Sequence, residues 1–137
     1  MKRIGLLCLP LLVVVAFGCG GQQGAGSDPA PTQHVLASGM EVVMPGKTST
    51  IEVEGVDRPG KLTAALYWPS SEARVSAYFE NGSPEHQGWA RTRGPLKSTV
   101  EVTDADLKSG SGWRLNMENG SCCQLVTVRY SVKFEPY

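Results

Sequence analysis

The feature that most constrains this chain is the alternation of apolar and polar side chains that recurs from about residue 34 to its end. A period of two is the repeat of a strand with one buried face and one wet face, because successive side chains leave the pleat on opposite sides. In "STIEVE", Ile51 and Val53 take one face and Glu52 and Glu54 the other. "KLTAALYW" gathers Leu62, Ala64, Leu66 and Trp68, "ARVSAYF" gathers Val75, Ala77 and Phe79, and "STVEV" gathers Val100 and Val102. "GWRLNME" sets Trp113, Leu115 and Met117 inward against Arg114, Asn116 and Glu118. The longest run, "QLVTVRYSVKF", sets Val126, Val128, Tyr130, Val132 and Phe134 against Thr127, Arg129, Ser131 and Lys133, and a shorter run over 40–44 opens the series.

Turn formers separate these runs: Pro45-Gly46, Pro59-Gly60, Pro69-Ser70-Ser71, Asn81-Gly82, Gly94-Pro95 and Asn119-Gly120. Strands spaced by about a dozen residues predict an all-β domain over 34–137, a single antiparallel β-sandwich of jelly-roll-like form with about seven or eight strands. A small closed barrel shares the same period. The one helical signal is "TDADLK", where Thr103 or Asp104 caps a single turn before Leu107.

The first 33 residues have a different character. Lys2 and Arg3 precede an apolar run over 4–17, which Pro10 interrupts and which is shorter than the roughly 20 residues a membrane-spanning helix needs. The pattern predicts an export signal over 1–18. Residues 19–33, rich in Gly, Ser, Gln and Pro, lack the apolar side chains needed to fold and read as a flexible linker. Lys+Arg and Asp+Glu each number 13; without Lys2 and Arg3 the balance is 11 against 13, a net −2. So small a charge gives no field to gather nucleic acid.

"AFGC", Ala16 to Cys19, resembles the lipobox of bacterial lipoproteins, with Ala16 where Leu is usual and Phe17 where a small residue is commoner. The resemblance implies diacylglycerol on the sulfur of Cys19, cleavage before it and anchorage in a membrane. Gly20 rather than Asp after the cysteine is similar to the pattern that sends lipoproteins to the outer membrane of the cell envelope. Ala16 and Gly18 also satisfy the small-x-small rule of ordinary signal peptidase at the same bond.

The order of strands over about 48–134 resembles the bacterial pre-peptidase C-terminal type of domain, a non-catalytic β-sandwich appended to secreted enzymes and surface proteins. It rests on a strand ending in Trp68, a Val-rich strand after it, the "TDADL" turn, and a Gly-Trp strand beside the last one. The resemblance implies binding or scaffolding, with an envelope protein or glycan as partner. Some relatives bind calcium through acidic residues, but here "MPGKTST" precedes Ile51 and "ARVSAY" stands where an Asp-rich strand is usual, so no calcium ligand carries over.

No catalytic set, metal or cofactor site is expected. The only histidines are His34, at the end of the linker, and His86, in a loop beside Glu85; a nucleophile oriented by a histidine and an acid is not evident. A small envelope hydrolase, or an accessory subunit of a secreted enzyme, is the alternative reading. Asp104 and Asp106 suit helix capping better than cation binding. The adjacent Cys122 and Cys123 lie in the turn "NGSCCQ", where three outcomes stay open: a vicinal disulfide, two free thiols, or bonds to partner chains. Residues 81–95 are long for a hairpin connection and hold Trp89, Arg91 and Arg93, an aromatic and two cations suited to a sugar ring or a carboxylate. Trp89 serves equally as a cover for the open end of the sandwich.

Overall fold

The computed structural model describes residues 32–69, 73–82 and 95–137 in full, and residues 90–92 as backbone. Among the described residues the chain forms eight strands and one short helix: β1 (His34–Val43), β2 (Thr48–Val53), β3 (Gly60–Tyr67), β4 (Val75–Glu80), β5 (Ala90–Thr92), β6 (Leu96–Val102), α1 (Asp104–Lys108), β7 (Trp113–Asn119) and β8 (Val126–Pro136). They build two antiparallel sheets, ordered β1-β8-β3-β6 and β2-β7-β4-β5. Every connection except β4 to β5 passes from one sheet to the other, which is the jelly-roll route to a sandwich.

The period-two pattern sets the core. Leu62, Ala64, Leu66 and Trp68 from the first sheet meet Val75, Ala77, Phe79, Trp113, Leu115 and Met117 from the second, all buried. Val126, Val128, Val132 and Phe134 of β8 complete the first layer. Phe79 and Trp113 pack edge to face with centroids 6.4 Å apart. The indole of Trp68 donates to the carbonyl of Ala73 (3.2 Å), so the ring that closes β3 also fixes the entry to β4.

Three details depart from the sequence expectation. β1 starts at His34, well before residue 40. Its register against β8 slips between Val35 and Ala37, and a bulge of this kind breaks the alternation that would reveal a strand. β5 lies inside what reads as one long connection; three residues are too few to show a period. Asn116, on the polar phase of β7, is nevertheless buried, because its side chain accepts from Thr50 Oγ1 (2.7 Å) and donates to Glu80 Oε2 (2.9 Å).

Two polar side chains hold the connections. Thr103 is the N-cap of α1: Asp106 Oδ2 accepts from both its backbone N–H (2.8 Å) and its hydroxyl (2.7 Å), while Asp106 Oδ1 accepts from the buried Asn81 (2.9 Å). Asn119, at the end of β7, donates to the carbonyls of Val43 (2.9 Å) and Gln124 (2.8 Å) and accepts from the N–H of Ser121 (2.9 Å). One fully buried amide thus ties the end of β1, the end of β7 and the approach to β8.

Candidate functional site

Strand pairing places residues far apart in sequence side by side on the outer face of the β1-β8-β3-β6 sheet. One row across the strands is Ser38, Ser131, Ala65 and Lys97; the next is Met40, Arg129 and Tyr67. Small side chains in the first row leave a trench beside the longer ones of the second. The resulting cavity, about 780 Å³, is lined by both rows and by Pro95 at the start of β6. A smaller depression of about 220 Å³ continues it over Thr63 and Lys133, sharing Ala65, Lys97 and Ser131.

The second row opens onto an apolar stripe. Met40 (67% exposed) and Tyr67 (54%) stand free of the core, and Val42, Met44 and Leu125 extend the exposed apolar surface along the ends of β1 and β8. Contiguous exposed apolar surface of this kind marks interaction sites.

Charge on this face is uneven. Lys61, Lys97, Arg129 and Lys133 share it with two carboxylates, Glu101 and Glu135. Both carboxylates are engaged, Glu135 by Gln33 Nε2 (3.1 Å) and Glu101 by the hydroxyl of Tyr137. Arg129 and Lys97 are exposed and form no ion pair among the described residues. The outer face of the other sheet is acidic among its fully described residues, with Glu52, Glu80 and Glu118 against Arg114. There the phenol of Tyr78 is pushed above its usual range by burial, and then by the charges of Glu80 and Glu118.

The expected site residues are dispersed. Cys19, His86, Trp89 and Arg93 lie outside the described residues. Arg91 belongs to β5, at the register position opposite Ser76 on the acidic face. His34 is exposed at the start of β1. Asp104 and Asp106 are in the first turn of α1, where Asp106 is committed to its cap. A second depression, about 450 Å³, adjoins Asp106, Glu52 and Glu54. No group of three or more His, Cys, Asp or Glu is placed to hold a metal among the described residues.

Cys122 and Cys123 are brought together, exposed and as free thiols, with their sulfurs 2.9 Å apart. Neighbours on a strand would point to opposite faces; the turn pinned by Asn119 and Ser121 lets both point the same way. The hydrogen bond that the Cys123 thiol donates to Cys122, and then the charge of Cys122, push Cys123 above its usual range.

The trench itself is not visible in any single run of sequence. Its one local signal is Tyr67, an aromatic on the polar phase of β3 with Lys61, Thr63 and Ala65.

No protein-family model matches the chain, and no curated protein matches it. Among solved structures the chain is similar to the Yersinia pseudotuberculosis-derived mitogen, at 21% identity and a TM-score of 0.45, over 78% of this chain and 87% of that one.

Proposed function

We propose that the chain is an exported, lipid-anchored module of the bacterial cell envelope, held in the outer membrane through Cys19, that acts by binding rather than by catalysis. Its partner is an envelope component seated on the outer face of the β1-β8-β3-β6 sheet. The observation that carries this reading is the trench: a cavity on a sheet face, walled by exposed apolar side chains and by cations that form no ion pair among the described residues. Sites for small ligands have this composition, mostly apolar with a few placed polar groups. The lipobox-like "AFGC" and the linker after it support the anchor.

Two measurements test the reading. Intact mass and membrane fractionation from the native cell are expected to show a chain beginning at Cys19, heavier by a diacylglyceryl group and released by Cys19→Ala; a freely soluble, unlipidated wild-type chain refutes the anchor. A photocrosslinking amino acid in place of Ala65 is expected to give conjugates that the same substitution at Thr50, on the opposite outer face, does not. Equal or absent conjugates at the two positions refute the binding face.

A further inference from the structure

We infer that the trench takes a single anionic amphiphile, an acyl chain ending in a carboxylate or a phosphate. The inference rests on the reading of this sheet face as the binding face, and adds the chemical class of the occupant.

Size comes first. A cavity of about 780 Å³ lies within the roughly 300–1,000 Å³ of small-ligand sites. The strands contribute the short Ser38, Ser131 and Ala65 at one level, beside the longer Met40 and Tyr67 at the next.

The walls specify the body of the ligand. Met40 and Tyr67 face the cavity, and Val42, Met44 and Leu125 carry the apolar surface onward along β1. Methionine, unbranched and polarisable, adapts to a flexible chain better than to a rigid ring. A sugar or a free inorganic anion would leave this stripe in water.

The cations specify the head. Arg129 is paired across the strands with Tyr67, and Lys97 with Ala65, so both stand at the cavity and neither is neutralised by a carboxylate among the described residues. An uncharged acyl chain would leave both unused. The guanidinium fork suits either a carboxylate or a phosphate, which is why the head is assigned by charge.

The experiment uses the exported chain carrying Cys19→Ala, so that no detergent competes. Dansyl-labelled undecanoic acid is titrated into it and the emission followed. Saturable, blue-shifted fluorescence is expected, reversed by decanoate and by decyl phosphate and far less by decanol; the relative strength of the two anionic competitors tells carboxylate from phosphate. Ala65→Trp fills the trench floor and is expected to weaken binding at least tenfold. Combined Arg129→Gln and Lys97→Gln is expected to raise Kd about tenfold and to abolish the preference for decanoate over decanol. All three positions are solvent-facing, so thermal melts are expected to stay near that of the parent.

Lack of saturable binding by the folded protein overturns the inference, as does binding indifferent to both sets of substitutions. Association only with phosphatidylglycerol vesicles, or displacement only by an acidic oligosaccharide, overturns it in favour of a membrane surface or a glycan. Crosslinking confined to position 65 survives those outcomes and keeps the binding face; loss of that crosslinking removes the face itself.

Discussion

Replacing Asn119 by Ala tests the account of how the two sheets are tied together. Its amide makes three hydrogen bonds of 2.8–2.9 Å, to the carbonyls of Val43 and Gln124 and from the N–H of Ser121, and the side chain is fully buried. At a net contribution of about 1 kcal/mol for each bond, the substitution costs roughly 3 kcal/mol. Ser121 is only half-buried and its N–H is recovered by water, whereas the Val43 carbonyl in the interior is not, which holds the total near that figure. For a domain of this size each kcal/mol lowers Tm by about 4–8 °C, so a fall of roughly 12–24 °C is expected. Urea unfolding should show a lower midpoint at unchanged slope, because the buried surface is the same. Asn119→Asp keeps an acceptor for Ser121 but turns a carboxylate oxygen toward two carbonyls, and should cost at least as much. A loss below about 1 kcal/mol for Asn119→Ala, at unchanged slope, would refute the assignment of this amide as the tie.

Other substitutions probe separate parts of the fold. Gly60→Ala brings a Cβ to 2.5 Å from the Glu135 carbonyl and 2.7 Å from the Phe134 ring, and a loss of about 2 kcal/mol in chemical denaturation is expected from such overpacking. Asp106→Ala removes the capping box and the acceptor for Asn81, at a cost of roughly 2 kcal/mol by the same measurement. Mild oxidation is expected to close Cys122 and Cys123 into a ring within one chain; two thiols still labelled in the unfolded, non-reduced protein would exclude it. In the reduced protein the hydrogen bond to Cys122 holds the Cys123 thiol above its usual range, so its alkylation by iodoacetamide near neutral pH should lag behind that of an unstructured cysteine peptide.

The buried phase of the strands was legible because it is a local property. Leu62, Ala64, Leu66 and Trp68 announce a buried face by their spacing alone, and so do Trp113, Leu115 and Met117. The cap at Thr103 was legible for the same reason, since the cap and its Asp106 partner are three residues apart. The trench was not, because Ser38, Ala65 and Ser131 become neighbours only through the registers of β1 with β8 and of β8 with β3. Nothing in the identity of a serine or an alanine marks it as the floor of a cavity until its neighbours are known. Asn119 was hidden differently: Asn-Gly signals a turn, and the pattern gives no hint that the side chain points inward to hold two distant carbonyls.

Among the fully described residues, the opposite signs of the two outer faces set up an electric dipole across the thin dimension of the sandwich. Sheets in a sandwich are about 10 Å apart, comparable to the screening length of about 8 Å at physiological salt, so the two faces are felt separately by a charged surface nearby. Under the proposed anchorage beside an anionic envelope, such a body would experience a torque before it makes any contact. In that setting the face with Arg129 and Lys97 would turn toward the surface and the face with Glu52, Glu80 and Glu118 away from it. Ionic strength would then act as a brake on this alignment, setting how often the trench meets the surface without altering any contact inside it.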